Sequence, residues 1–245
     1  MSETKNLLDS IANAFVPIHR DGHKFIAVAA LVTLILFLIA PPLGCIGVLA
    51  TASCAYFFRD PDRVVPSRPD AVVSPADGKI AAIAEVVPPR ELALGAEKRV
   101  RVSVFLSVLD VHIVRTPVAG RIVGSVYVPG KFLNAELDKA SDENERQALV
   151  VETAEGKKFG LMLIAGLIAR RIVTFVGEGT SVAAGERIGL IRFGSRVDVY
   201  LPAEAKVVVS VGQTAIGGET VMAELAPESP AREARAVVRS ELMKG

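Results

Sequence analysis

The sequence predicts a mainly β, barrel-sandwich-like domain preceded by an N-terminal amphipathic helix and an apolar helical hairpin. Three observations carry this. Residues 99–106 alternate with Val100, Val102 and Val104 on one face, and residues 121–128 and 206–211 share the strand-like pattern. The stretch LVVETAEGKKFGLMLIA reads as a β-hairpin with Glu155-Gly156 at its turn. Residues 25–58 carry no charge and are divided by Pro41-Pro42 and Gly44.

The elements follow in chain order. Between residues 7 and 18, Leu7, Leu8, Ile11, Phe15 and Ile18 fall at helical spacing, which suits a membrane interface or the flank of a soluble domain. Each half of the apolar run then holds about 15 residues, roughly 22 to 24 Å of helix against a hydrocarbon core of about 30 Å. Neither half spans comfortably. A double proline removes backbone donors and clashes with the preceding turn, so one unbroken helix is excluded. Arg20 and Lys24 precede the run and Arg59 and Arg63 follow it, the charge pattern of a hairpin with both ends in the cytoplasm. A cleaved signal peptide or a lipoprotein site at Leu43-Gly44-Cys45 is the rival reading. The apolar run continuing past the prolines, and Pro42 itself, stand against it. These marks divide the chain into a membrane-associating region, 1–58, and a β-rich domain, 59–245, joined through the extended linker FFRDPDRVVP.

Composition excludes several functions. A chain of 245 residues, 51% apolar and 22% charged, builds one substantial core, and its net charge of +1 leaves no nucleic-acid footprint. There is no Trp for stacking. Cys45 and Cys54 lie in the apolar region in no metal-ligand spacing, so no metal is expected, and they read as small membrane-facing residues in a reduced compartment.

Few residues carry chemistry. Gly194-Ser195 lies between two β-like runs and, on local grounds, is a turn. Of three histidines, His19 and His23 precede the apolar run; His112 is left, either as a satisfied core residue or as a proton carrier with an ordinary pKa of about 6.5. Asp77-Gly78, between Val72-Val73 and Ile80-Ala81, reads as a hairpin turn. Residues 134–147, NAELDKASDENERQ, form the one long polar stretch, a functional loop or a solvated one. VGEGTSVAAGERIGLI and VGQTAIGGETVMAEL echo each other in a rhythm shared by carrier domains and membrane-anchored adaptors. An adaptor would need a long coiled-coil insertion, and no heptad run is present.

Four segments, FFRDPDRVVP, FLSVLDVHIVRTPVAG, GKFLNAELDKASDENER and VAAGERIGLIRFGSRVDVYLP, resemble the phosphatidylserine decarboxylase proenzymes, in the short bacterial form. The resemblance implies self-cleavage between Gly194 and Ser195, giving a β chain 1–194 and an α chain 195–245 that stay together as a heterodimer, or as a dimer of such pairs. It implies that Ser195 becomes a covalent pyruvoyl group, needing no external cofactor, and that the phospholipid substrate is met at the cytoplasmic face of the cell membrane. Ser195, His112 and Asp77 become the catalytic expectations: Asp77 mainly for cleavage, His112 for decarboxylation and also for cleavage. Longer family members carry a second histidine three residues on, where this chain has Arg115. Arg115, Lys139 and Arg146 are the expected contacts to phosphate and carboxylate. A related serine phospholipid such as archaetidylserine would present the same head group.

Overall fold

The double proline starts a helix instead of interrupting one. In the computed structural model, which describes residues 16–130, 144–166, 171–192 and 194–225, α1 runs Arg20–Ile39 and α2 Pro41–Phe57. Pro41 and Pro42 occupy the first turn of α2, where no intrahelical N–H bond is lost, and the extended Ala40 reverses the chain. The helices pack through small residues: Gly44 lies against the Phe37 ring and Gly47 against Thr33, whose hydroxyl meets that of Thr51 at 2.9 Å. His19 caps α1 by accepting from the Asp21 amide. Starting there, α1 holds 20 residues and reaches about 30 Å, longer than the expected half-run and apolar enough to cross a membrane. Leu31, Leu38, Ile46 and Leu49 are exposed, so the β domain does not cover the hairpin.

The base of the hairpin is closed. The His19 amide donates to the Phe58 carbonyl at 2.8 Å and the Asp60 amide to the Pro17 carbonyl at 2.7 Å, so the chain enters and leaves at one end. Residues 7–15 of the expected amphipathic helix lie outside the described residues.

The rest is mainly β. Fourteen strands are present among the described residues: β1 (Ala71–Val73), β2 (Gly78–Val86), β3 (Arg99–Leu106), β4 (Ile113–Arg115), β5 (Gly120–Val128), β6 (Arg146–Glu152), β7 (Lys158–Ala165), β8 (Ile172–Thr174), β9 (Ser181–Val182), β10 (Arg187–Ile191), β11 (Ser195–Tyr200), β12 (Ala205–Val207), β13 (Thr214–Ala215) and β14 (Val221–Leu225). A curled eight-stranded antiparallel sheet has the order β13-β2-β3-β11-β7-β6-β5-β9, and two three-stranded sheets have the orders β1-β14-β12 and β4-β10-β8. Val102, Val104, Leu161, Leu163, Val197 and Val199 form the middle of the main core. β11 is buried along its whole length.

The strand order is a duplication. β1 to β3 correspond to β4 to β6, and β11 to β14 correspond to β7 to β10, with the pseudo-twofold between β11 and β7. Ser74-Pro75-Ala76-Asp77-Gly78-Lys79-Ile80 matches Thr116-Pro117-Val118-Ala119-Gly120-Arg121-Ile122, and both glycines press on a carbonyl of the next strand, that of Phe105 or of Glu152. A side chain at either would collide with backbone. The echo read near the C-terminus is the other half of the same repeat.

Two local expectations are corrected. Asp77-Gly78 is not a hairpin turn, because β1 pairs with β14 while β2 pairs with β3 and β13; Gly78, at φ +149°, lets the chain change sheets at a corner. The strand expected at 206–211 ends at Val207, since the Gln213 amide donates to the Ser210 carbonyl and Gly212, at φ +87°, closes a turn. The Glu155-Gly156 hairpin joins β6 and β7 as read, with Gly156 at φ +76°.

Candidate active site

Ser195 opens the central strand. Its backbone pairs with Leu106 of β3 and Ala165 of β7, and alternation along β11 turns its side chain to the face of Val197 and Val199. It is fully buried, and its hydroxyl has no hydrogen-bond partner among the described residues. A buried unpartnered hydroxyl costs about 1–3 kcal/mol, so the Ser195 hydroxyl adds nothing to stability where it stands. Gly194 before it sits at φ +59°, a conformation that β-branched and bulky side chains resist.

His112 comes to this turn from the segment before β4. The Gly194 amide donates to its Nε2 at 3.3 Å. An amide can only donate, so Nε2 carries the lone pair and Nδ1 the proton, which goes to the Asp110 carbonyl at 2.9 Å. The ring is fully buried with its centroid 4.3 Å from that of Phe57, the last residue of α2. Burial pushes its pKa down to about 4, against the opposing pull of the Asp110 carbonyl and carboxylate. That departs from the ordinary value expected from sequence. The imidazole is neutral at physiological pH.

The loop 107–110 that carries this histidine is tied at both ends. The Ser107 amide donates to the Asp110 carboxylate at 2.8 Å, and Arg59, just after the hairpin, donates to the Leu109 carbonyl at 2.6 Å.

Asp77 stands at the same end of the sheet, because Gly78 abuts Phe105 and Leu106, which pair with Arg196 and Ser195. Its carboxylate accepts from the Gly217 amide at 2.8 Å and from Arg63 at 2.7 Å. Burial nevertheless raises its pKa, with the Gly217 bond and the Arg63 charge opposing. His112 thus takes its orienting bond from the Asp110 carbonyl, while Asp77 joins the corner Gly217 to the linker residue Arg63.

The basic residues are placed differently from one another. Arg115 is buried and donates to the carbonyls of Gly185 and Pro61, both at 2.9 Å, and lies 3.6 Å from the Asp60 carboxylate. Asp60 in turn pairs with Arg187 at 2.7 Å. The position three residues after His112 therefore fastens the linker. Arg146 pairs with Glu91 at 2.6 Å, and Lys139 lies outside the described residues.

Sequence reasoning did not name Asn144, Glu145, Phe57 or Asp110 as site residues, and it read Arg63 only as a charge flanking the apolar run. The Asn144 side chain donates to the carbonyl of Ala165 at 2.8 Å, beside Ser195, and the Glu145 carboxylate accepts from the Ile172 amide at 3.1 Å. The polar stretch containing both was legible; their burial was not.

The described residues thus bring a polar centre in the β-sheet together with the end of an apolar helical hairpin, at Phe57 and His112. Among protein families, the model described as phosphatidylserine decarboxylase matches residues 50–223. The chain belongs to that family, and it is a carboxy-lyase that decarboxylates phosphatidylserine. A passive adaptor is set aside.

Proposed function

We propose that the chain is made as a proenzyme, cuts itself between Gly194 and Ser195, and uses the pyruvoyl group formed from Ser195 to convert phosphatidylserine to phosphatidylethanolamine. One observation carries this reading: the lone pair of His112 rests on the amide of Gly194, next to a buried serine whose hydroxyl has no hydrogen-bond partner among the described residues. Ser195 Oγ attacks the Gly194 carbonyl carbon; an ester C–O bond replaces the amide C–N bond, and the hydroxyl proton passes through His112 to the freed amine. Loss of the Ser195 α-proton and of the Gly194 carboxylate leaves dehydroalanine, which water converts to pyruvoyl and ammonia. Held at the start of β11, the pyruvoyl carbonyl would supply the electron sink for decarboxylation of the substrate amine. His112 Nε2 is placed to relay a proton taken from water to the product Cα. The intact mass tests this reading: two chains, the α chain lighter by one ammonia, support it, and a single full-length chain in active enzyme would end it.

The cut leaves the α chain in place, because β11 is laddered to β3 and to β7 through six residue pairs on each side. The two chains therefore form the working heterodimer.

Asp77 is assigned to holding the corner during cleavage. Asp77→Ala is expected to accumulate uncut chain, with cutting slowed about 10- to 100-fold as the turn loses its anchor. Asp77→Asn, whose amide oxygen still accepts from Gly217, should be milder. Cleavage followed on gels decides, and equal rates in Asp77→Ala and parent would remove the residue from the site.

We assign the enzyme to the cytoplasmic face of the membrane, a reading supported by the hairpin. Its two ends meet at one side, and basic residues flank both. Reporters fused before Ser2 and after Gly245 are both expected to read cytoplasmic; opposite locations would replace the hairpin with a single crossing.

A further inference from the structure

Beside His112 an apolar groove of about 690 Å³ runs between α2 and the loop 107–110. Leu49, Ser53, Cys54 and Phe57 form one wall, and Val108 and Leu109 the other. Among the described residues no charged side chain lines it; Arg59 lies at its edge, over the Tyr56 ring and bonded to the Leu109 carbonyl, so the groove's walls suit an apolar occupant. Val108 and Leu109 are 46% and 69% exposed, yet their loop is pinned by Asp110 and Arg59, so this apolar wall is held in place. At its inner end stands Phe57, in contact with His112; outward, α2 continues into the exposed Leu49 and Ile46. From Phe57 to Leu49 the helix offers about 12 Å of apolar wall.

We infer that this groove holds an acyl chain of the substrate phospholipid, with the head group at Ser195 and the chain running outward along α2. The inference rests on the assignment of the reacting centre to Ser195 and His112, and adds how the lipid is gripped. The substrate supplies the occupant, since phosphatidylserine brings acyl chains wherever its head group goes. The groove is also continuous with the hairpin surface that no part of the described β domain covers.

Water-soluble phosphatidylserines of rising chain length, used below their micelle concentrations, test it by activity. kcat/KM should climb from dibutyroyl to dioctanoyl by up to about fourfold for each CH2 that enters the groove. Ala52→Trp on the α2 wall and Val108→Trp on the loop wall should each flatten that climb, while turnover of glycerophosphoserine and self-cleavage stay at parent levels. A flat series in the parent, or a full climb in both variants, would overturn the inference.

Cys54 gives a second readout, taken in a sterol-based detergent with no flexible chain. In a Cys45→Ala, Ser195→Ala proenzyme, dioctanoyl phosphatidylethanolamine should slow maleimide labelling of Cys54 at least tenfold, and glycerophosphoethanolamine should not. This result does not require the pyruvoyl reading, so the two stand or fall separately. Equal labelling with both compounds would overturn the inference. So would a Cys54 that is shielded without lipid and becomes reactive on deleting residues 2–15, because the chain's own N-terminus would then be the occupant.

Discussion

Ser195→Ala is expected to leave one uncut chain and decarboxylase activity at background. Ala has no nucleophile to begin the acyl shift and no oxygen from which the prosthetic carbonyl can arise. The same substitution should cost nothing in stability. The Ser195 backbone keeps its pairing with Leu106 and Ala165, and the only group removed is a buried hydroxyl without a partner among the described residues. Removing such a group relieves a desolvation cost of about 1–3 kcal/mol, so the variant should melt at or above the temperature of the uncut parent. A loss of function together with unchanged or raised stability separates chemistry from folding. Ser195→Cys retains a nucleophile and should still cut, slowly. Mass spectrometry and thermal melting settle both points, and an Ala variant that is cut at the parent rate would sink the self-cleavage mechanism.

What was legible in the sequence was what is local. The proline pair and the charge-free run announced the hairpin, and Glu155-Gly156 announced its turn, because helix breakers and positive-φ glycines act over a few residues. Asp77-Gly78 shows the limit of that reasoning: its turn chemistry is real, but strand pairing is decided across the fold, where β1 finds β14 and β2 finds β3. The central place of β11 is hidden for the same reason, since both of its neighbours come from distant parts of the chain. The duplication was open to reading in Ser-Pro-Ala-Asp-Gly-Lys-Ile and Thr-Pro-Val-Ala-Gly-Arg-Ile. It is weak because only the corner glycine and its flanks are fixed by backbone contact, and the position of Asp77 is taken by Ala119 in the second copy.

The candidate site divides along the same line. Gly194, Ser195, His112 and Asp77 could be named through the family resemblance of their segments, but not which partner each would take. Arg115 illustrates the difference: a basic residue three positions after His112 invited a substrate role, whereas the fold gives its guanidinium to Pro61 and Gly185. Burial, which decides the protonation of His112, is a property of α2 and the sheet together.

His112→Ala is expected to slow chain cutting by about 100- to 10,000-fold, the usual contribution of a positioned proton carrier. The pH dependence identifies the cause. Burial holds the imidazole down to about 4, whereas in the unfolded chain it titrates near 6.5. Between those values the unfolded chain binds the proton and the folded chain does not, so this contribution to stability is complete above about pH 6.5 and is lost as the pH falls towards 4. Its full size is roughly 3 kcal/mol. Asp77, whose pKa is raised, acts with the opposite sign, so it does not account for an acid loss in this window. Cutting needs the neutral imidazole and should therefore proceed at a steady rate from neutral pH down to about 5, falling only below that. Melting temperatures of the Ser195→Ala proenzyme should decline between pH 6.5 and 4, and adding His112→Phe, which keeps an aromatic ring against Phe57, should flatten the decline. A parent whose cutting rate halves near pH 6.5 would show an ordinary, solvated imidazole; a His112→Ala chain that cuts at the parent rate would reduce the residue to core packing.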